Sequence, residues 1–170
     1  MNALQSYKRI EKPLILAIES SCDDTSAAVI RDTQLLANLI STQTVHQQYG
    51  GVVPELASRA HLSNIVPVVA EVLRMAEVQV QDLDAIAFTR GPGLMGALLV
   101  GVSFAKGLAL ATGAKLLEVN HLQGHILSPF LQTSEDVRTP RFPFLSLLVS
   151  GGHTQLVVVR NPLEMQLLGQ

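Results

Sequence analysis

The chain is poor in cysteine and in charge, and both shortages limit what it can be. Cys22 is the single cysteine of 170 residues, so no internal disulfide can form, and this usage is typical of a cytoplasmic protein. Only 15% of the residues are charged and 48% are hydrophobic, which requires a substantial buried core. The formal net charge of -2 predicts no broad attraction to nucleic acid, so an RNA substrate needs a local patch or a basic partner.

Apolar runs of the length that secretion or membrane insertion requires are also scarce. The run at residues 14–18 is too short for a secretory signal and ends in Glu19. Residues 96–117 are apolar enough to suggest a membrane span, but Lys106 lies at the centre, where a charge is costly. We therefore expect no membrane segment, and we interpret this stretch as a helix buried between the layers of an α/β domain.

The order of apolar patterns predicts an α/β domain in which strands and helices alternate. Strands are predicted at residues 14–19, 26–30, 34–41, 84–89 and 116–119. Helices are predicted at residues 55–75 and 94–112. Pro67 either divides the first helix or kinks it, and Gly113 ends the second. The first two strands form a hairpin whose tip, residues 20–25, concentrates acids and hydroxyls.

A second unit begins after a polar, proline-bearing segment at residues 133–143, which has the composition of a linker. Strands are predicted at 144–149 and 155–159, joined by a glycine-rich tip. This layout repeats that of the first hairpin. We therefore predict a first domain at 1–132, a linker at 133–143 and the truncated start of a second, similar domain at 144–170. Two strands are not stable alone, so the unit packs on the first domain, on a second copy, or on further chain.

His121 and His125 are the strongest indication of chemistry. If residues 120–125 are helical, both imidazoles project from one face, one turn apart, as a pair of metal ligands. Catalytic metal sites usually have three protein ligands, so a third is missing. The alternative is a chance spacing of two polar residues. A metalloprotease needs Glu directly after the first histidine, and Leu122 stands there instead.

Both hairpin tips carry groups that suit a ligand. In the first, Glu19, Asp23 and Asp24 lie among serine and threonine hydroxyls, and such an acid could hold a magnesium ion or its waters beside a nucleotide phosphate, although a solvated turn explains them as well. In the second, the backbone N–H groups of residues 150–152 could line an anion, although an ordinary glycine turn is the alternative. His153 and Thr154 add polar groups that such a turn does not require.

The remaining motifs have structural interpretations. The segment at residues 90–96 opens a helix after a strand, but it is neither a P-loop nor a dinucleotide-binding fingerprint. Its glycines, with others along the helix, are expected to let that helix pack closely against the sheet; they are Gly93, Gly96, Gly101 and Gly107. His46 and His61 are interpreted as surface or structural residues.

Taken together, five segments resemble the N-terminal half of one known family. They are AIESSCDDT at 17–25, GVVPELASRAH at 51–61, TRGPGL at 89–94, NHLQGH at 120–125 and LVSGGHT at 148–154. The order and content are similar to the TsaD family, formerly called the O-sialoglycoprotein endopeptidase (Gcp) family. The commonest family form has Glu where Asp24 stands, so the charge is kept with a shorter reach.

The resemblance implies an ASKHA fold (actin/hexokinase/Hsp70-like), with the first domain complete and the opening hairpin of the second. It implies transfer of threonylcarbamoyl from threonylcarbamoyl-adenylate to the adenosine beside the anticodon of tRNAs that read A-starting codons. His121 and His125 match two ligands of an iron or zinc ion, and the third, an aspartate, belongs to the half that this chain lacks. Asp23 and Asp24 match active-site acids, and the substrate-binding segment corresponds to Leu148, Val149, Ser150, Gly151, Gly152 and His153.

The resemblance also implies an adenylate or ATP-like ligand, a tRNA partner, a paralogous TsaB-type subunit and a TsaE-type ATPase. This half-chain alone is expected to be inactive, and a homodimer of it is a further possibility. Two alternatives stay open. One is a metal-dependent glycoprotein endopeptidase, as the older family name states. The other is a non-catalytic half-domain that only binds a partner, against which the histidine pair argues.

Overall fold

Strand β1 (Leu14–Glu19) is the centre of a five-stranded sheet in the computed structural model, which describes residues 10–133, 138–152 and 154–170. It pairs antiparallel with β2 (Asp24–Arg31), which pairs antiparallel with β3 (Gln34–Thr42). On its other side β4 (Ala85–Gly91) and β5 (Lys115–Asn120) follow in parallel. Alternate residues of β1 are buried, as expected for a strand with one face on the core.

The first hairpin has the predicted tip, because the pairing of β1 with β2 ends at Glu19 and Ser26 and leaves residues 20–25 between them. Strand β2 itself begins at Asp24, not at residue 26, because its pairing with β3 continues two residues beyond its pairing with β1. Asp24 pairs in register with Thr42 of β3, and Thr25 with Ser41. The predicted six-residue tip is therefore confirmed, the predicted start of β2 is wrong by two residues, and Asp24 has a fixed backbone position in the sheet.

Helix α1 (Pro54–Met75) is continuous through Pro67, so of the two predicted effects of Pro67 the division into two helices is wrong, and the kink stays a prediction. Pro67 lacks the N–H that would bond to the preceding turn, but its ring lies on the exposed side, away from the core. The buried side packs against β2 and β3. It consists of Ala57, His61, Ile65, Val68, Val69 and Val72.

Helix α2 (Met95–Thr112) packs against α1 and β4, and Gly113 ends it in the left-handed conformation, as predicted. Its buried side is narrow, with Ala97, Leu98, Gly101, Ala105 and Ala109. Met95, Leu99 and Leu110 are exposed. The expected burial between two layers is therefore wrong for this chain, because only one side of the helix meets protein.

Within the described residues, α2 is the one helix long and apolar enough to cross a membrane by length and composition. The core helix of a soluble protein passes the same test. The predicted close packing against the sheet is present at Gly101, where a Cβ would clash with Ser20 Oγ directly after β1. It is wrong for Gly96, where a Cβ would clash with Ser58 Oγ of helix α1 instead. A Cβ on Gly107 would meet nothing within 4 Å, so that prediction is wrong.

Within the described residues, the second unit has three strands where two were predicted. Helix α3 (His121–Leu127) leads toward β6 (Phe144–Val149), β7 (Thr154–Asn161) and β8 (Glu164–Gly169), which form an antiparallel sheet in that order. Ile126 of α3 packs with Val157 and Val159 of this sheet, so α3 connects the two units. Short 3-10 helices lie at Thr44–Gln48, Val80–Asp82 and Ser128–Phe130.

The domain limits stay a prediction. The strands of the first sheet all lie within 1–132 and those of the second within 144–170, and each sheet opens with an antiparallel meander. The predicted linker at 133–143 falls partly on residues 134–137, which lie outside the described residues. Phe130, Phe142 and Phe144 contact one another around it, with the first two rings stacked at a centroid distance of 4.9 Å.

Candidate functional site

The histidine pair lies on a helix, as its spacing predicted. Helix α3 starts directly at the end of β5, and the side-chain oxygen of Asn120 caps it by accepting from the backbone N–H groups of Leu122 at 2.9 Å and Gln123 at 3.2 Å. The Nε2 atoms of His121 and His125 lie 3.2 Å apart, and the rings meet edge to face. Both Nε2 atoms therefore point at one place on the surface.

The carboxylate of Glu19 contacts the His121 ring at Nδ1, the nitrogen that faces away from His125. Its Oε2 atom lies 3.1 Å from His121 Nδ1 and accepts from Thr89 Oγ1 at 2.5 Å. Its Oε1 atom accepts from the backbone N–H of Ser21 in a very short hydrogen bond. Ser21 Oγ lies 3.3 Å from the same Nδ1 atom. Three strand ends thus converge on one imidazole.

These hydrogen bonds determine the charge of Glu19. Burial by itself would raise its pKa, since a carboxylate loses water contacts there. Hydrogen bonds from Ser21, Thr89 and His121 act in the opposite direction and outweigh burial, so the pKa of Glu19 lies below its ordinary value. Glu19 is therefore a carboxylate at neutral pH, and it acts only as an acceptor.

Sequence reasoning missed the link between Glu19, Thr89 and the histidines, although a signal for it existed. Glu19 ends β1, Thr89 lies near the end of β4, and His121 follows β5 directly. Those three strands are parallel neighbours, so their carboxyl ends meet at one edge of the sheet. The alternation of elements could have predicted this convergence.

Asp23 and Asp24 lie near this edge but have other surroundings. Neither carboxylate hydrogen-bonds to His121 or His125 in the described part of the chain. The Oδ1 atom of Asp24 is buried there without a hydrogen-bond partner. Asp23 lies beside the exposed thiol of Cys22; burial, with the hydrogen bond and charge of Asp23, raises the pKa of that thiol to about 11. Their roles as active-site acids stay predictions.

The hydroxyl groups of this loop are buried, so a fully solvated turn is wrong for them. Ser20, Ser21 and Thr25 are all nearly inaccessible. Ser20 Oγ donates to the carbonyl of Ala97 at 2.9 Å, and the N–H of Leu94 donates to the carbonyl of Ser21 at 2.7 Å. A Cβ on Gly93 would lie 2.5 Å from that same carbonyl oxygen, so only glycine permits this approach. The start of α2 therefore holds the loop in place.

Two further histidines are structural, and the surface interpretation is wrong for both. His61 is fully buried, with Nδ1 at 2.7 Å from Thr25 Oγ1 and Nε2 at 3.0 Å from the carbonyl of Cys22. His46 is buried beside Gln43, whose side-chain oxygen lies 2.9 Å from Nε2. Both fasten loops to the core.

The second tip lies at the end of β6. Leu148 and Val149 belong to that strand, and Val149 is exposed. Among the described residues, a Cβ on Gly151 or Gly152 would meet nothing within 4 Å. The predicted site residue His153 lies outside the described residues. The geometry leaves room for a ligand at this tip, and the substrate role of the segment stays a prediction.

A sequence model of one protein family matches most of the chain. The model for TsaD, tRNA N6-adenosine threonylcarbamoyltransferase, matches residues 34–170. The chain belongs to the TsaD family. Curated TsaD relatives named tRNA N6-adenosine threonylcarbamoyltransferase include those of Porphyromonas gingivalis, 60% identical over 92% of this chain, and Phocaeicola vulgatus, 61% identical over 92%. The chain spans about half the length of these relatives, 46% and 47%.

Solved structures give the fold. A structure named YeaZ from Pseudomonas aeruginosa is similar to this chain with a TM-score of 0.58 and 20% identity, and the match covers 93% of this chain and 65% of that one. This likeness, with the mixed sheet and its flanking helices, confirms the predicted ASKHA-type α/β fold. The TsaD assignment made from five short segments is confirmed as well.

Proposed function

We propose that this chain supplies the metal-binding half of an enzyme that transfers threonylcarbamoyl from threonylcarbamoyl-adenylate to tRNA. The acceptor is the adenosine beside the anticodon in tRNAs that read A-starting codons. The name of the curated relatives, tRNA N6-adenosine threonylcarbamoyltransferase, supports the reaction. The proposed metal site rests on one observation: the Nε2 atoms of His121 and His125 converge beside an ionised Glu19. The enzyme acts in the cytoplasm.

The two histidines fit an iron or zinc ion as two of its ligands. Two nitrogen ligands at about 2.0–2.1 Å from a tetrahedral zinc ion lie about 3.3–3.4 Å apart. The observed Nε2–Nε2 distance is 3.2 Å. Within the residues that the structure describes, no group of three or more His, Cys, Asp or Glu side chains is placed to hold a metal. An aspartate from the further length of the relatives completes the set.

The chain's own residues bind and orient the reactants. The metal ion supplies Lewis-acid polarisation or positioning of the carbamoyl group when bound. The backbone N–H groups of Ser150, Gly151 and Gly152 hold the adenylate, with Leu148, Val149 and His153 completing that segment. The tRNA amine forms a bond to the carbamoyl carbon, the bond to the AMP oxygen breaks, AMP leaves, and the amine proton passes to solvent. Asp23 and Asp24 line the site on the side of the first hairpin.

A metal-dependent endopeptidase is the rival activity. That mechanism needs a glutamate beside the metal to activate water. Leu122 occupies the corresponding position on α3. Glu19 is the carboxylate that reaches His121, but it bonds Nδ1, on the opposite side of the ring from Nε2. A group there cannot contact a water bound to a metal at Nε2, so transfer is favoured.

Partner binding accompanies this function. Helices α1 and α2 contact each other and share one layer, which leaves apolar side chains exposed on both. They are Leu62 and Val66 on α1, and Met95, Leu99 and Leu110 on α2. We assign this α1–α2 surface to a paralogous TsaB-type subunit. A TsaE-type ATPase and the tRNA are the other partners, and self-association of the chain through the same surface is the competing arrangement.

The transfer reaction is tested by replacing His121 in a TsaD-family enzyme that has the full length of the curated relatives and carries the same site residues. His121→Ala should lose metal retention and threonylcarbamoyl transfer together, while Gln123→Ala on the same helix keeps both. Metal content is measured on the purified protein, and transfer is measured on tRNA with threonylcarbamoyl-adenylate supplied. Normal transfer by the metal-free variant would contradict the proposed mechanism. A peptidase assay on the metal-loaded protein addresses the rival.

A further inference from the structure

We infer that Glu19 is a positioning residue, which together with Thr89 keeps the proton of His121 on Nδ1 and leaves the Nε2 lone pair directed at the metal position beside His125. The purpose of this arrangement depends on the function proposed above. Its geometry does not, because every contact in it lies within this chain.

The first step concerns which partner donates. Oε2 of Glu19 has two neighbours, Thr89 Oγ1 at 2.5 Å and His121 Nδ1 at 3.1 Å, and Oε1 accepts from the N–H of Ser21. A carboxylate surrounded by donors has no proton to give. The hydrogen on the His121–Glu19 contact therefore belongs to Nδ1, and the neutral ring has its lone pair on Nε2.

The second step concerns what Nε2 faces. It lies 3.2 Å from Nε2 of His125, which is exposed and has no fixed partner on its other nitrogen in the described residues. In the metal-free chain His125 donates from Nε2 to the lone pair of His121. With that hydrogen shifted to Nδ1 of His125, the neutral ring would present its Nε2 lone pair beside that of His121, and both could then serve as metal ligands. A carboxylate bonded to the second nitrogen is the usual support for such a histidine, because it fixes the tautomer and raises ligand basicity.

The third step concerns rigidity. Glu19 and Thr89 lie at the ends of adjacent parallel strands, paired through Ile18 and Phe88, while β5 pairs with β4 up to Asn120, directly before His121. Backbone pairing therefore sets the distance between carboxylate and imidazole. The Thr89 hydroxyl holds Oε2, so the carboxylate does not swing toward solvent. Such support on strands locates a site more accurately than support from a loop.

A role in stability alone does not account for this arrangement. The side chains of His121 and Glu19 are 27% and 32% exposed, and ion pairs with this much water contact contribute little to folding. The fold has a comparable pair at Arg90 and Glu118, also joining the ends of β4 and β5, at 3.4 Å. That pair has no histidine and supplies the matched control.

The experiment uses this chain and two readouts that need no enzymatic activity. The ¹⁵N shifts of the imidazole nitrogens, recorded above the titration range of histidine, report which nitrogen of His121 carries the proton. Broadening of the His121 and His125 signals by cobalt(II) reports metal affinity. The native chain should show the proton on Nδ1. Glu19→Gln and Glu19→Ala should move it toward Nε2 and weaken cobalt binding by about 10–100-fold.

Two further variants keep the test decisive. Glu118→Gln should change neither readout. Thr89→Val, which keeps the Glu19 side chain but removes the hydroxyl that holds Oε2, should weaken cobalt binding by a smaller factor and decides the matter if the Glu19 variants do not fold. A native His121 protonated on Nε2, or unchanged tautomer and affinity in both Glu19 variants, overturns the inference. Transfer by a metal-free His121→Ala enzyme overturns the proposed function instead and leaves the tautomer result standing.

Discussion

The Thr25 hydroxyl and the Nδ1 atom of His61 lie 2.7 Å apart in a part of the core without solvent contact. The opposite ring nitrogen donates to the carbonyl of Cys22 at 3.0 Å, so Thr25 must donate to Nδ1, an assignment that the network requires. One imidazole therefore ties helix α1 to strand β2 and to the loop that follows Glu19. The loop beside the candidate metal position is held by the core and not by solvent-exposed contacts.

Replacement of His61 should destabilise the fold strongly. His61→Leu removes both hydrogen bonds and leaves the Thr25 hydroxyl and the Cys22 carbonyl unpaired, which should lower the free energy of unfolding by about 2–4 kcal/mol. Urea denaturation of the chain measures it. Thr25→Val alone should cost less, and the double variant should cost less than the sum of the two. A loss below about 1 kcal/mol for His61→Leu contradicts the buried network.

Two glycine substitutions should have opposite effects. Gly93→Ala would place a Cβ 2.5 Å from the carbonyl oxygen of Ser21, a backbone atom that cannot move without shifting the loop. We expect a loss of about 1–3 kcal/mol in the free energy of unfolding. Gly107→Ala on α2 meets nothing within 4 Å and should stabilise by up to about 1 kcal/mol. Equal effects from the two substitutions would show that the close approach at Gly93 is absent.

The thiol of Cys22 should react slowly despite its exposure. Its pKa is raised from 9.0 to about 11, so near pH 8 the thiolate fraction falls by about 100-fold. A more basic thiolate is a better nucleophile, which leaves a net slowing of about tenfold toward an aromatic disulfide reagent. The rate should keep rising with pH to about 11. Asp23→Asn removes a charge and a hydrogen bond that raise this pKa, so it should speed the reaction, whereas Asp82→Asn should not.

Hydrophobic periodicity predicts best the helices and strands of this fold that have one continuous apolar side. Helix α1 was one of them, yet Pro67 suggested a break that does not occur, because the missing N–H lies on the exposed side. His61 shares its helical spacing with Ala57 and Ile65, which could have placed it in the core. Strand β8 was missed because it is almost wholly exposed in this chain and has no buried alternation to detect.

The candidate site was predictable in its parts and not in its connections. The i,i+4 spacing correctly predicted that His121 and His125 share one side of a helix. It could not show that Glu19, 102 residues earlier, would bond the first ring, since that contact depends on the order of strands in the sheet. Glu19, Asp23 and Asp24 were grouped as acids of one polar tip, and nothing in that grouping singled out Glu19 as the carboxylate that contacts the histidine pair.

The exposed α1–α2 surface leads to a test of the proposed TsaB-type partner. Leu99 is 62% exposed at the middle of α2, and an apolar side chain in such a position is a candidate for the centre of an interface. Leu99→Glu should weaken association with the TsaB-type paralogue by at least about tenfold, because a charge would be buried without a partner. Leu163→Glu, at a leucine that is 96% exposed in the turn before β8, is the matched control and should leave association unchanged.

Sedimentation of the chain alone and mixed with the paralogue separates the two arrangements for this surface. A complex of the two proteins that Leu99→Glu disrupts supports the TsaB-type partner. A homodimer that the same variant disrupts, with no complex formed in the mixture, assigns the surface to self-association instead. If both glutamate variants associate like the native chain, the apolar side chains on α1 and α2 do not form the interface, because a buried unpaired carboxylate at its centre would cost several kcal/mol.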